Sequence, residues 1–105
     1  MQTEAPERVD TEIVVAPAGE PDVGWSEELE KRLMPLAERG APRVLVDLRG
    51  APRIDSVALG LLVLAQRKLA LAGRELVLLV GNHDILRTLE VTGLDRFFAI
   101  ECETG

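Results

Sequence analysis

The sequence predicts an α/β fold with a four- to five-stranded, mostly parallel sheet and helices packed chiefly on one side. Two aliphatic runs, at 44–48 and 76–80, are apolar on both faces, which is typical of adjacent central strands in such a sheet. Segments with helical spacing of leucine alternate with short apolar runs, as in repeated β-α-β units. The length of 105 residues fits one domain, and aliphatic side chains must build its core because only 3% of residues are aromatic.

The first quarter of the domain predicts one strand and one helix. Residues 1–10 are polar and predict a loose tail ahead of a domain at 11–105. Residues 12–16 form a β-branched run that predicts the first strand. The following helix takes Ser26 as its N-cap and ends just before Gly40. Pro35 lies inside this helix and should kink it or end it early.

The rest of the chain continues the alternation of strands and helices. Ser56 is placed to cap a long helix, and Gly73 is placed to end it. The predicted elements are a strand at 43–48, a helix at 57–72, a strand at 75–80, a helix at 84–91 and a strand at 97–102.

Composition excludes several classes of function. The net charge of −6 argues against a nucleic-acid surface, because phosphate binding needs clustered lysine and arginine. No apolar run of about 18 residues is present, so no direct membrane insertion is expected. The single cysteine, Cys102, cannot form an internal disulfide, which favours a cytoplasmic location.

The sequence contains no recognisable catalytic, cofactor or metal motif. His83 has no second histidine with which to form a metal-binding set. The glycines do not have the spacing of a phosphate-binding loop, so no nucleotide cofactor is expected. We therefore expect a binding protein rather than an enzyme.

The helix predicted at 57–72 has more apolar surface than a helix covering a sheet requires. One of its faces suffices to cover a sheet, so the second stripe either lies under neighbouring helices or forms a surface that binds a partner. The first stripe comprises Leu59, Leu62, Val63 and Leu69, and the second comprises Val57, Leu61, Leu64 and Leu71.

Four segments in order resemble the STAS domain family, in particular its anti-sigma factor antagonists. Residues 44–48 and then 54–60 resemble the family's strand, loop and signature helix start, and residues 19–22 resemble its early GELD turn. Residues 72–78 resemble its helix-to-strand passage, and residues 89–98 resemble its LELTGLDRVF segment. The resemblance spans about 13–100, nearly the whole chain.

The resemblance implies a partner switch in transcription regulation. Family members bind an anti-sigma factor, often a serine kinase, and thereby release a sigma factor. The kinase phosphorylates a hydroxyl at the start of the signature helix, which weakens binding. A monomer or weak dimer is expected. The partner-binding residues implied by the resemblance and by the second stripe are Glu20, Asp22, Asp55, Ser56, Val57, Gly60, Leu61 and Leu64.

The sequence departs from the family pattern at the phosphorylation site. The usual acceptor is the second residue after the aspartate, and here that residue is Val57. Ser56 stands one position earlier, where it could accept phosphate or serve only as the N-cap. We predict the cap, and hence a constitutive binder.

A second departure concerns the end of the chain, and the serine position suggests an alternative function. Family domains commonly end with another helix, for which this sequence has no segment after the last strand. STAS adaptor subunits of bacterial ABC-type lipid transporters carry a single serine or threonine just after the aspartate, as at Asp55 and Ser56. The segment at 92–96 favours the sigma-pathway group over these adaptors.

Overall fold

A computed structural model describes residues 11–20 and 22–103, so the predicted tail at 1–10 lies outside the described residues. No helix in this part of the chain is long and apolar enough to cross a membrane. The elements are β1 (Thr11–Val15), α1 (Val23–Glu38), β2 (Arg43–Asp47), α2 (Ser56–Leu71), β3 (Glu75–Val80), α3 (His83–Val91), a 3₁₀ turn (Leu94–Arg96) and β4 (Ala99–Cys102).

The four strands form one parallel sheet in the order β1-β2-β3-β4. The prediction of an α/β fold with β2 and β3 as adjacent central strands is therefore confirmed. Each connection leads from one strand to its next neighbour, always toward the same edge of the sheet. Right-handed connections in this order place all their helices on the same face of the sheet.

A single aliphatic core lies between the sheet and the three helices. Alternate residues of each strand point into it, because successive side chains of a strand face opposite sides of the sheet. The fully buried residues from strands and helices include Val44, Val46, Leu76, Leu78, Leu29, Leu33, Leu62, Leu69, Ile85 and Leu89. All of them belong to one cluster, so the helices α1, α2 and α3 pack on the same side.

The prediction that Ser26 caps the first helix is wrong. The cap is Asp22, whose Oδ1 accepts a hydrogen bond from the Trp25 backbone N–H at 2.9 Å. Starting the helix one turn earlier buries the indole of Trp25, whose Nε1 donates to the Pro17 carbonyl at 2.6 Å. Ser26 is buried within the helix, and the helix continues past Pro35 to Glu38 rather than ending early.

The last strand is shorter than predicted. Residues 94–96 form a 3₁₀ turn, and the backbone N–H groups of Phe97 and Phe98 both donate to the Leu94 carbonyl. This turn directs the Phe98 ring into the core before β4 begins at Ala99. The local hydrogen bonds therefore override the strand preference of the two phenylalanines.

Candidate functional site

The helices α1 and α2 both begin at an aspartate cap. Asp55 Oδ1 accepts a hydrogen bond from the Ala58 backbone N–H at 2.9 Å. The prediction that Ser56 is the cap is therefore wrong, because Ser56 is already the first helical residue and its side chain is exposed. Aspartate caps a helix as well as serine does, and its charge also suits the positive end of the helix dipole.

A groove of about 530 Å³ lies between the first turns of α1 and α2. Val57 and Leu61 supply its apolar wall, and four carboxylates also belong to its lining. Four of the predicted partner-binding residues meet in this groove. Its lining residues are Asp22, Ser26, Glu27, Glu30, Asp55, Val57 and Leu61.

The other predicted residues surround the groove without lining it. Glu20 is exposed and pairs with Arg53, with Oε1 and Nη2 2.6 Å apart. Ser56 and Gly60 are exposed on the first turns of α2. Leu64 follows one turn after Leu61 and is 47% exposed. The structure therefore brings four of the eight predicted residues together in the groove and leaves the other four outside its lining.

Sequence reasoning missed three groove residues on α1, namely Ser26, Glu27 and Glu30. Ser26 is predicted from the sequence only as an N-cap, and the carboxylates of Glu27 and Glu30 look like those of any solvated helix start. The signal was the four-residue spacing of Asp22, Ser26 and Glu30, which places these residues on one face of a helix. This spacing matters only if the helix begins at Val23, and the sequence predicted a later start.

The second apolar stripe of α2 is largely a surface. Val57, Leu64 and Leu71 are 60%, 47% and 90% exposed, so no neighbouring helix within the described residues covers them. Leu61 differs from them because it is only partly exposed and packs against the core. The stripe runs from the groove along the whole of α2.

The assignment of the α2 cap leads to a test of stability. Asp55→Ala should lower the free energy of unfolding by about 1 kcal/mol, because the Ala58 N–H loses its partner. Ser56→Ala should change it by less than about 0.5 kcal/mol, because the serine is exposed. Urea unfolding of both variants measures the difference, and a larger loss for Ser56→Ala would contradict the assignment.

A second cleft of about 500 Å³ lies at the carboxyl end of the sheet and includes His83 and Cys102 in its lining. Its arginine, Arg49, donates to Asp47 Oδ2 at 2.9 Å and also pairs with Glu103. The hydrogen bond from Arg49 lowers the pKa of the Asp47 carboxyl, and both carboxylates raise the pKa of Arg49. The guanidinium of Arg49 is already held by two carboxylates, so it is not free to bind an anion in this cleft.

The Asp47–Arg49 pair should make stability depend on acid pH. Because the pKa of Asp47 is lowered in the folded protein, the pair stabilises the protein at neutral pH, and the effect is lost as pH falls through that lowered value. In Arg49→Gln the pKa of Asp47, followed by NMR, should rise toward its ordinary value. The difference in unfolding free energy between variant and wild type should disappear in acid.

The matched control for this titration is Arg67→Gln, an exposed arginine on α2. It should leave the pKa of Asp47 unchanged. If Arg49→Gln also leaves that pKa unchanged, the hydrogen bond from Arg49 does not determine it.

Comparisons with known proteins identify the family and agree with the fold. Over 76 residues the chain is 37% identical to the anti-sigma-B factor antagonist of Staphylococcus aureus, covering 72% of this chain and 70% of the relative. The crystal structure of an anti-sigma factor antagonist from Mycobacterium paratuberculosis matches with a TM-score of 0.76 at 23% identity, covering 87% of this chain and 76% of that one. The antagonist SpoIIAA in its unphosphorylated form matches with a TM-score of 0.70 at 21% identity, covering 89% and 81%. The STAS domain profile matches residues 1–104, and this chain therefore belongs to the STAS domain family.

Proposed function

We propose that this protein is an anti-sigma factor antagonist that binds an anti-sigma factor through the groove between α1 and α2. The observation that carries the proposal is the groove itself, which combines an apolar wall on α2 with four carboxylates, three of them from the start of α1 and one, Asp55, at the start of α2. The named relative from Staphylococcus aureus supports the same function. The protein acts by binding, without catalysis, in the cytoplasm, where sigma factors work.

The apolar wall and the carboxylates of the groove indicate which kind of side chains the bound segment of the anti-sigma factor carries. Val57 is 60% exposed, so burying it against an aliphatic side chain removes apolar surface from water. Asp22, Glu27, Glu30 and Asp55 place negative charge around that contact. A partner segment with an arginine beside an aliphatic residue fits this surface. The aliphatic side chain packs against Val57, and the planar guanidinium can bind the carboxylates in a bidentate manner.

We propose further that phosphate does not switch this binding. The usual acceptor position is occupied by Val57, which faces the groove and has no hydroxyl. The hydroxyl of Ser56 lies outside the groove lining, so a phosphate there would stand beside the contact rather than within it. Even with a serine kinase as the anti-sigma factor, we expect the complex between that kinase and this protein to persist when ATP is present.

The function is tested by isothermal titration of the whole chain with the anti-sigma factor encoded in the same genome. We expect a one-to-one complex and release of the sigma factor from a preformed complex with the anti-sigma factor. The same titration is run with the ATPase subunit of the lipid transporter. Binding to that ATPase, with none to the anti-sigma factor, would replace the proposal by the transporter-adaptor function.

The absence of a phosphate switch is tested with the same anti-sigma factor as kinase. Wild type, Ser56→Ala and Val57→Ser are incubated with ATP and separated by phosphate-affinity electrophoresis. We expect a shifted band for Val57→Ser alone, because this change restores a hydroxyl at the usual position. A shifted wild-type band that disappears in Ser56→Ala would make Ser56 the acceptor and the protein a phosphate-switched binder.

A further inference from the structure

The face of the sheet opposite the helices carries an apolar row that crosses all four strands. Ile13, Leu45, Val77 and Ala99 are aligned in register on this face. Ile13 and its neighbour Val15 on the edge strand are 59% and 56% exposed, and within 11–20 and 22–103 no helix covers them. Leu45 and Ala99 are partly exposed and Val77 is buried, so the open part of the row lies on the β1 side. All-parallel sheets are almost always covered on both faces, so the exposed Ile13 and Val15 make this face a candidate interface.

Charged residues border the apolar row on both sides. Toward the amino end of the strands, Arg43 Nε and Glu75 Oε1 are 3.1 Å apart, and both side chains are about half exposed. Toward the carboxyl end, Arg49 joins Asp47 and Glu103. An apolar centre with a polar rim is the usual anatomy of a protein interface.

The apolar and charged residues of this face are arranged so that two copies of the face can pair with each other. A two-fold axis parallel to the strands, between β2 and β3, places β2 of one chain opposite β3 of a second chain. Arg43 of each copy then faces the partner's Glu75. In the next row Leu45 faces the partner's Val77, and the large Ile13 faces the small Ala99 of the partner subunit.

We propose that a second copy of this chain covers the open sheet face, giving a homodimer of two sheets packed face to face. Aligned packing of two twisted sheets, at about −30°, is a common arrangement. The ten residues ahead of β1 are a poor alternative cover, because four of them are charged, namely Glu4, Glu7, Arg8 and Asp10. The dimer leaves the groove of α1 and α2 free, and the inference does not depend on the proposed function.

The oligomeric state of the whole chain tests the proposal by sedimentation equilibrium. Wild type should be a dimer whose mass halves on dilution, and Ile13→Glu should be monomeric with an unchanged circular dichroism spectrum. Leu71→Asp, which alters an exposed apolar residue on the helical side, should remain dimeric. A wild type that stays monomeric up to its solubility limit would overturn the proposal.

Charge reversal tests the register of the two copies. Arg43→Glu and Glu75→Arg should each be monomeric alone, because each one places like charges opposite one another. Mixed in equal amounts, the two variants should form a heterodimer, since both intermolecular pairs become attractive while the pairs within each chain stay repulsive. Dimers in either variant alone, or no association of the mixture, would contradict this two-fold arrangement.

Discussion

Val57→Asp is expected to weaken binding of the anti-sigma factor by at least about 100-fold, because a central apolar contact of an interface is replaced by a fifth carboxylate. Folding should be unaffected. Val57 is exposed, and an aspartate in the first turn of α2 is favourable to the helix dipole, so the free energy of unfolding should change by less than about 0.5 kcal/mol. Isothermal titration and urea unfolding measure the two quantities.

The matched control is Leu71→Asp, the same substitution at the far end of the same stripe. Leu71 is 90% exposed but lies in the last turn of α2, away from the groove. Its affinity should stay within about threefold of wild type, as for a residue outside an interface. An equal loss of binding in both variants would assign the effect to general charge repulsion rather than to the groove.

Leu62→Ala is expected to lower the free energy of unfolding by about 3–5 kcal/mol. Leu62 is fully buried where α2 packs on the sheet, so its removal loses apolar burial and leaves a cavity in the core. Small domains have a total stability of about 5–15 kcal/mol, and the variant should therefore unfold at much lower urea concentration.

The control for this core substitution lies two residues along the same helix. Leu64 is 47% exposed, and Leu64→Ala should cost less than about 1 kcal/mol because no closed cavity is formed. Comparable losses in the two variants would contradict the assignment of the two faces of α2.

The parts of the fold that the sequence predicted are those with a strong local pattern. The aliphatic runs of β2 and β3 leave no alternative to central strands, and the spacing of leucines on α2 separates its buried face from its exposed one. The two helix starts were displaced because aspartate and serine cap equally well. The choice of Asp22 over Ser26 depends on burying Trp25, which is a tertiary contact.

The open sheet face was also beyond the reach of sequence reasoning. Ile13 and Val15 belong to a β-branched run that predicts a strand, but the run does not say which face is covered. The groove depends in the same way on two helices that start about 30 residues apart in sequence and meet only through the order of the strands.

The position of Trp25 gives the protein an intrinsic optical reporter. It is the only tryptophan, and the chain has no tyrosine, so ultraviolet emission comes from one indole. That indole is buried and bound to the Pro17 carbonyl, while its backbone N–H is held by Asp22 and the next residue, Ser26, lines the groove. We therefore expect unfolding of the core, and occupation of the groove beside Ser26, to change the environment of one fluorophore, so that both can be followed in the unlabelled protein.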